Sequence, residues 1–461
     1  MTDLEMEYNF FADAIVRANK KQTRQLVSFT KRISAFDPVK RFVSFGKKRG
    51  DRVFWGSTDD DFYLVGFGSC IEVSQNDISF SELGSQVHHL MENACIHDPF
   101  KMPGTGLVAL GGKTFDNTNR HKTLWTHFPH QSLRIPKWLM TKEKDTFYCT
   151  VNTYVTPDSR LEDVLKDLHS EEHELFSNDC SYGKEPFIQN IIEIQPEQWK
   201  ETVQRAVDNI KSGRLKKIVL ARELHVQLSN DANIASILEK FKESEEHSYI
   251  FAMEYDRDCF IGATPERLVR MDREKVLSTC LAGTIRRGET QEENDGLKEE
   301  LMNDEKNREE HDLVVQMIQE TLSRYCHDIH MPDVPSVYPL KHLQHLYTPV
   351  NAMVSRGYHI TDLVEGLHPT PALGGVPRDR ALAFIRENEQ LERGWYGAPL
   401  GWFDSNRNGE FAVGIRSGLV QGNRASLFAG CGIVEESDPE MEYEETKIKF
   451  SPMLSVVGEW K

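Results

Sequence analysis

The sequence predicts a large mixed α/β fold, and three observations lead to this prediction. The chain has 461 residues, of which 39% are hydrophobic and 28% charged, which is the composition of a folded protein with a sizeable core. Short apolar runs bounded by glycine recur along the chain and predict strands. Amphipathic stretches with helix-capping signals lie between several of these runs.

The first part of the chain is predicted to contain both kinds of element. We expect a helix over about residues 5 to 20, helices near residues 80 to 95 and 158 to 176, and strands at FYLVGFG and TFYCTVNTYV. EEHELFSNDCSYGKEP, within residues 170 to 190, is polar and shows neither helical nor strand period, so we predict a connection there. The connection divides the chain into residues 1 to 190, without an identified motif, and residues 191 to 461, which carry the motifs below.

The second part is denser in glycine-bounded strands. Pro196 and Gly213 bracket a predicted helix, because proline suits the first helical turn and glycine the position after the last. In the following strand, KKIVLARELHVQL, alternation places Lys217 on one face and the more apolar set on the other, namely Ile218, Leu220, Leu224 and Val226. Further strands are predicted at SYIFAMEY, DCFIGAT, KVLSTCLAGTI, WYGAPLGWF, EFAVGIRSGLV and ASLFAGCGIV.

Charge limits the classes of partner. The chain has 55 Lys and Arg against 72 Asp and Glu, a net charge of −17. Nucleic acids and anionic membranes are therefore disfavoured, because both bind cationic surfaces. Any anionic substrate must meet local positive groups.

Several features predict a cytoplasmic protein. The N-terminus lacks a basic segment followed by an apolar run, and no stretch reaches the ~18 apolar residues that cross a bilayer. The cysteines are scattered without a CxxC pair, so we expect reduced and mostly buried thiols. They are Cys70, Cys95, Cys149, Cys180, Cys259, Cys280, Cys326 and Cys431.

Common catalytic motifs are missing. GLVALGGKT, residues 106 to 114, approaches a phosphate-binding loop but has leucine at position 107, where GxxxxGK[ST] requires the first glycine of that frame. We interpret it as a strand and turn. Neither a GxSxG elbow nor a GxGxxG after a strand occurs, which argues against serine hydrolases and dinucleotide enzymes.

Glu310 is the first candidate for chemistry. It lies on a helix expected to begin near Leu297, and apolar residues from Leu313 to Ile318 follow it at helical spacing. A carboxylate on that buried stripe costs several kcal/mol unless a cation or proton compensates it, which favours metal binding or acid–base work. If the stripe ends at Leu313, Glu310 instead lies at a solvated border, and the periodicity leaves both interpretations open.

A second acidic cluster follows the last predicted strand. Ser437 and Glu440 suit a capping box at the start of a helix. Glu442, Glu445 and Lys449 then lie at i, i+3 and i+7, on one face. This face either carries a functional site or is an exposed charged surface.

Other candidates lie in turns and at strand ends. Gly430 and Gly432 would let a ligand approach main-chain amides closely, or would form a bulge. Arg416 interrupts an apolar strand, and a buried arginine needs an anion, either internal or a substrate carboxylate. Three further residues lie in proline- and glycine-rich loops, namely Glu266, His368 and Tyr396.

Taken in order, these motifs resemble those of the chorismate-utilising enzymes. The resemblance spans about residues 195 to 455 and rests on KIVLAR, GATPERL, LAGTIRRG, NREEHDLVV, HPTPALGG, ERGWYGAPLGW, FAVGIRS, AGCGIVEESDPEMEYEET and KFSPM. The family includes anthranilate, aminodeoxychorismate, salicylate and isochorismate synthases. It implies a single large α/β domain in which two largely antiparallel sheets pack together with helices outside.

The resemblance also implies a magnesium site and a substrate site. The metal ligands would be Glu310 and Glu445, with Glu442 nearby, and carboxylate oxygens are ligands that Mg²⁺ prefers. The residues implied to surround the dianionic substrate, chorismate, are Thr284, His368, Tyr396, Arg416, Gly430, Gly432 and Lys449.

The nucleophile distinguishes the members of this family. Lys217 matches the lysine that activates water in isochorismate and salicylate synthases, and Glu266 resembles the acid that protonates the departing C4 hydroxyl. Ala282 stands where aminodeoxychorismate synthases carry a nucleophilic lysine. The resemblance thus implies an isochorismate synthase, of menaquinone-pathway type from HPTPALGG and the long N-terminal part. Salicylate synthase and a siderophore-pathway isochorismate synthase are the alternatives. No glutaminase subunit is expected, and the protein would be a monomer or homodimer.

Overall fold

The computed structural model describes residues 3–44, 50–118, 123–177, 183–339 and 343–460, which form 21 strands and eleven helices. The strands are β1 Gln25–Arg32, β2 Arg52–Ser57, β3 Phe62–Val73, β4 Cys95–His97, β5 Val108–Lys113, β6 Gln131–Glu143, β7 Thr146–Val155, β8 Ile188–Glu193, β9 Lys217–Leu228, β10 Tyr249–Tyr255, β11 Asp258–Thr264, β12 Arg267–Asp272, β13 Lys275–Arg286, β14 Cys326–His330, β15 Ser336–Pro339, β16 Leu343–Val354, β17 Gly375–Val376, β18 Pro399–Asp404, β19 Asn408–Val413, β20 Ser417–Gln421 and β21 Arg424–Ile433. The helices are α1 Asp3–Lys21, α2 Pro38–Ser44, α3 Phe80–Glu92, α4 Leu161–Ser177, α5 Pro196–Lys211, α6 Ile234–Ser244, α7 Gln291–Asn303, α8 Glu305–Tyr325, α9 Ile360–Leu367, α10 Arg378–Asn388 and α11 Pro439–Val457.

The strands form one connected network with two limbs that share β6. One edge of β6 pairs with β3, and the other edge pairs with β5 near its start and β7 near its end. The first limb runs β4–β1–β7–β6–β3–β2–β10–β11–β20–β21–β9–β8, and the second runs β6–β5–β18–β19–β12–β13–β16, with β14 and β15 also pairing with β16. Among these pairs only β1–β4 is parallel. The predicted α/β fold with largely antiparallel sheets is confirmed.

Three hydrophobic cores hold the limbs and helices together. An aromatic core that includes Trp55, Phe251 and Trp402 draws its side chains from both limbs. The other two lie under the helices, one beneath α1, α2, α4, α6 and α11 and the other beneath α3, α5, α8, α9 and α10. Each core combines residues from before and after residue 190. Helix α5 shows the underlying pattern, since its buried side chains from Trp199 to Ile210 recur at helical spacing.

The structure corrects two predicted boundaries in this framework. Helix α4, which agrees with the helix predicted near residues 158 to 176, occupies the start of the stretch predicted to be a connection, because Leu168 and Leu175 are buried two turns apart among acidic residues. Strand β18 begins only at Pro399, because the preceding WYGA residues form turns in which Gly397 has a φ of +70°. The helix bracketed by Pro196 and Gly213 and the strand at residues 106 to 114 are confirmed.

Two further corrections concern elements that carry candidate residues. EFAVGIRSGLV forms two strands, β19 and β20, and Arg416 lies between them with a left-handed φ of +48°. The helix expected to begin near Leu297 is in fact two helices, α7 and α8, and Asp304 caps α8 by accepting a hydrogen bond from Asn307 N. The first break places Arg416 outside both strands, and the second begins a new helix five residues before Glu310.

The cysteines and the helices agree with the expectations that the structure can test. The seven described cysteines are free thiols, all buried except the half-buried Cys70, and Cys180 lies outside the described residues. Within the described ranges, no helix combines the length and apolar character needed to span a membrane.

Candidate active site

Lys217 and Glu310 form the centre of the site. Lys217 begins β9, is 4% exposed, and places its Nζ 2.5 Å from Oε1 of Glu310 on α8. Gly432 on the neighbouring strand β21 makes room for this lysine, since a Cβ there would lie 3.0 Å from Lys217 Cε. Glu310 itself is half-buried. The interpretation of Glu310 as part of the buried stripe is therefore wrong, and its position at the border is confirmed.

His311 explains the position of the border. This residue, with Val314 and Ile318, forms the buried stripe of α8. The His311 Nδ1 lies 3.0 Å from the carbonyl of Ala282, and its Nε2 lies 2.7 Å from the Thr348 hydroxyl. These contacts fasten α8 to β13 and β16 and so fix Glu310 beside Lys217. His311 is a site residue not predicted from the sequence, although Val314 and Ile318 follow it at helical spacing.

Glu266 lies in the turn between β11 and β12, close to two cations. Burial raises the pKa of Glu266 to about 7, although the charges of Lys217 and Arg416 act to lower it. Its main-chain carbonyl accepts a hydrogen bond from Val413 N at 3.0 Å, which fixes the turn against β19. Near neutral pH a substantial fraction of Glu266 is therefore protonated and able to donate a proton.

Arg416 supplies a cation that the protein does not neutralise by direct contact. Burial lowers the pKa of its guanidinium, and Glu266 is among the charges that raise it. Among the residues that the structure describes, no acidic side chain forms an ion pair with Arg416. The charges of Glu245 and Glu266 act on Arg416 without such a pair, so the guanidinium can still bind an external carboxylate.

Gly430 lies between two further candidates. A Cβ at this position would lie 3.3 Å from the hydroxyl of Tyr396, whose ring packs against Phe428. On its other side, the carbonyl of Gly430 accepts a hydrogen bond from Lys449 Nζ at 3.0 Å. Burial raises the pKa of Tyr396, so its hydroxyl remains a neutral donor. The missing side chain at Gly430 therefore keeps the space beside these groups open.

The acidic face of α11 has one paired and one partly unpaired carboxylate. Glu445 forms an ion pair with Lys449 at 2.6 Å. Glu442 Oε1 accepts a hydrogen bond from the Ser437 hydroxyl at 2.6 Å, whereas its Oε2 is buried without a partner. The predicted capping role of Ser437 is wrong, because Asp438 caps α11 by accepting from the Glu440 and Met441 amides.

Thr284 and His368 occupy different environments. Thr284 is exposed on β13, and its hydroxyl lies 2.9 Å from Nδ1 of His345. His368 is 2% exposed, with Nε2 3.0 Å from the carbonyl of Phe115 and Nδ1 buried without a hydrogen-bond partner. Burial lowers the pKa of His368 well below its usual value, so its ring is neutral.

A buried ion pair not predicted from the sequence supports β9, the strand that carries Lys217. Arg393 binds Glu389 through two hydrogen bonds of 2.6 and 2.7 Å. Arg393 also donates to the carbonyls of Leu373 and Val219, and Glu389 accepts from the amide of Ala221. The pair thus joins β9 to the loop after His368. Its i, i+4 spacing was the available signal, but that spacing alone is also common on exposed helices.

The carboxylates suit a divalent cation although they do not form a compact cluster. Among the described residues, no three His, Cys, Asp or Glu side chains lie close enough together to hold a metal ion. Burial raises the pKa of Glu442, and the neighbouring charge of Glu445 raises it further. The Glu442 oxygen without a hydrogen-bond partner and the repulsion between Glu442 and Glu445 both favour a cation at this place. Carboxylate oxygens are suitable ligands for Mg²⁺.

A buried lysine, a carboxyl group with a pKa of about 7 and an arginine without an ion-pair partner among the described residues define an acid–base enzyme site for a small anionic substrate. The comparisons agree with this class. Residues 13–458 match the family model described as chorismate binding enzyme, and the chain belongs to this family.

Named relatives and a solved structure resemble the chain over nearly its full length. The chain is 38% identical to the isochorismate synthase MenF of Bacillus subtilis, over 96% of both chains. It is 32% identical to the salicylate biosynthesis isochorismate synthase of Pseudomonas aeruginosa, over 97% of this chain and 94% of that relative. The solved MenF of Escherichia coli shares the fold with a TM-score of 0.80 and 22% identity, over 97% of this chain and all of that one.

Proposed function

We propose that the protein is an isochorismate synthase that converts chorismate to isochorismate with Mg²⁺. The observation that carries the proposal is the buried Lys217 amine near Glu266, whose pKa is about 7, with the unpaired Arg416 beside them. This arrangement pairs a proton acceptor with a proton donor and provides a cation for a substrate carboxylate. The names of the relatives from B. subtilis and P. aeruginosa support the same activity.

The reaction requires one proton to be taken up and one to be given. Lys217 accepts a proton from the water that attacks C2 of chorismate, and Glu266 donates a proton to the C4 hydroxyl as it leaves as water. The ring double bonds rearrange as C2 gains a hydroxyl group and C4 loses one, so substrate and product are isomers. Arg416 and Tyr396 orient a carboxylate of the substrate. His368, Thr284, Lys449 and the main chain at Gly430 and Gly432 complete the substrate site.

The proposed metal ligands are Glu310, Glu445 and Glu442. Mg²⁺ bound there would neutralise the ring carboxylate of the dianionic substrate. Because Glu310 and Glu445 each form an ion pair with a lysine, Mg²⁺ bound to these carboxylates would release Lys217 from Glu310, as its role as proton acceptor requires. We propose that the protein acts in the cytoplasm, where its free thiols stay reduced. There it would feed menaquinone biosynthesis as a monomer or homodimer without a glutaminase subunit.

Incubation of the purified protein with chorismate and Mg²⁺, without ammonia, tests the proposal. Chromatography with mass detection should show a product that has the mass of chorismate but separates from it. Enzymatic formation of salicylate, which has lost pyruvate, would instead indicate a salicylate synthase. A requirement for ammonia or a partner would contradict water as the nucleophile.

Lys217→Ala tests the base in the same assay. We expect kcat to fall by about 10²- to 10⁴-fold, the usual contribution of a general base. Lys216→Ala is the matched control, because Lys216 is the exposed neighbour of Lys217 and should leave turnover unchanged. Wild-type turnover in the Lys217→Ala protein would show that another group activates water.

A further inference from the structure

Thr284 and His345 face each other across a bulge beside the site. They pair directly between β13 and β16, at the point where the register shifts around Gly283. Gly283 has a φ of +78°, which favours glycine and permits the bulge. The Thr284 hydroxyl lies 2.9 Å from His345 Nδ1, so the two side chains form a hydrogen bond at the edge of the site.

The main chain of this bulge is fixed separately. The Thr284 amide donates to Oδ1 of Asn307 at 2.9 Å. Asn307 in turn donates to the capping carboxylate of Asp304, at the start of the helix that carries Glu310. The remaining freedom of Thr284 is therefore the direction of its hydroxyl, which His345 restrains.

Two cations act on His345, which is itself uncharged. Burial lowers the pKa of His345 to about 3, and the charges of Arg416 and Lys449 lower it further. A hydrogen bond to the carbonyl of Gly283 acts in the opposite direction. A neutral imidazole has one donor and one acceptor, so it can orient a hydroxyl without adding charge to the site.

We propose that His345 is a positioning residue, which holds the Thr284 hydroxyl towards the substrate carboxylate that Arg416 and Lys449 attract. This inference rests on the proposed function, since it requires chorismate to be the ligand. His345 acts through Thr284 and takes no part in proton transfer to the substrate. Its loss should therefore weaken substrate binding more than it slows the chemical step.

Steady-state kinetics of four variants and one control variant test this role. His345→Leu removes the hydrogen bond and should raise KM for chorismate by about tenfold, with a smaller effect on kcat. His345→Asn should restore KM to within about threefold, because an asparagine side chain can place a polar atom near the position of Nδ1. Thr284→Val should resemble His345→Leu, and the double variant should be no worse than the poorer single variant. His330→Leu is the control, since His330 is exposed on β14, beside β16.

The outcomes separate this inference from the proposed function. If the wild-type protein converts chorismate but His345→Leu keeps its KM, the positioning role is wrong and the proposed function stands. Additive effects in the double variant would likewise overturn the role. If the wild-type protein does not convert chorismate, both proposals are wrong. An equal loss in His345→Leu and His345→Asn, accompanied by a lower melting temperature, would show that His345 only supports the fold.

Discussion

At the scale of single residues, Glu266 shows how burial can dominate over neighbouring charge. Two cations, Lys217 and Arg416, lie close enough to favour its carboxylate, yet burial keeps its pKa at about 7. A group with this pKa can be protonated when the substrate binds and can lose its proton during the reaction. The turn between two strands provides this burial because the Glu266 main chain is bonded to β19.

The pH dependence of the reaction follows from this pKa. Glu266 must be protonated to act as the acid, so kcat/KM should fall as the pH rises through about 7. Glu266→Gln should lower kcat by about 10²- to 10⁴-fold and abolish this alkaline decline. Rates measured between about pH 6 and pH 9 check the prediction. The exposed Glu274→Gln is the control, and an unchanged alkaline limb in Glu266→Gln would assign the decline to another group.

Sequence reasoning recognises residues that break a local pattern and misses those that are defined by distant partners. Lys217 and Arg416 stood out as charges in apolar strands. His345 and His311 did not, because their importance comes from hydrogen bonds to residues 61 and 29 positions away. The periodicity of the sequence does not predict contacts between such distant residues. Whether a histidine is buried and structural, or exposed, depends on the partner that the fold brings to it.

At the scale of elements, the pairing of β9 and β21 creates the space for the base. Gly432 lies opposite Val219 in this pair, and Gly430 lies opposite Ala221. The two glycines therefore leave one face of β21 without side chains where Lys217 and Tyr396 approach it. Glycine weakens a strand, and a close approach of this kind is a common reason for its presence there.

Gly432→Ala should impair catalysis while leaving the fold intact. The new Cβ would lie 3.0 Å from Lys217 Cε, which is part of a flexible side chain, so the lysine would move rather than the strand. We expect kcat to fall by about 10- to 100-fold, because small displacements of reacting groups are costly. Gly296→Ala on α7 is the control, since nothing lies within 4 Å of the position of its Cβ. Wild-type kcat in Gly432→Ala would show that Lys217 tolerates displacement.

Element boundaries were harder to predict than the elements themselves. The strand at residues 217 to 228 and the helix after Pro196 follow from strong periodicity and caps. The break at Asp304 and the break at Arg416 do not, because each depends on how the next element packs. At α11 the capping box expected at Ser437 is not formed, and the geometry shows that the carboxylate of the next residue, Asp438, caps the helix instead.

At the scale of the whole molecule, buried neutral histidines link distant segments. His88 on α3 stacks on His359, before α9, with ring centroids 3.9 Å apart, and on Phe403 at 4.5 Å. Burial lowers the pKa of His88 to about 3. It lowers the pKa of His345 to about 3 and that of His368 well below the usual value. These histidines stay neutral in the folded protein while the unfolded chain would take up protons.

The free energy of unfolding should therefore decrease as the pH falls below about 6.5, the value for an exposed histidine. In this range the unfolded state binds more protons than the folded state. For His88 the decrease in the free energy of unfolding ends only near pH 3, where the folded state is protonated too. His88→Phe keeps the ring stacking and removes one such group, so its melting temperature should fall less steeply between about pH 6.5 and pH 4 than that of the wild type. His89→Phe, at the exposed next position of α3, should keep the wild-type slope. Identical slopes for the wild type and His88→Phe would mean that His88 is protonated as readily in the folded protein as in the unfolded chain, and that other groups cause the sensitivity of the protein to acid.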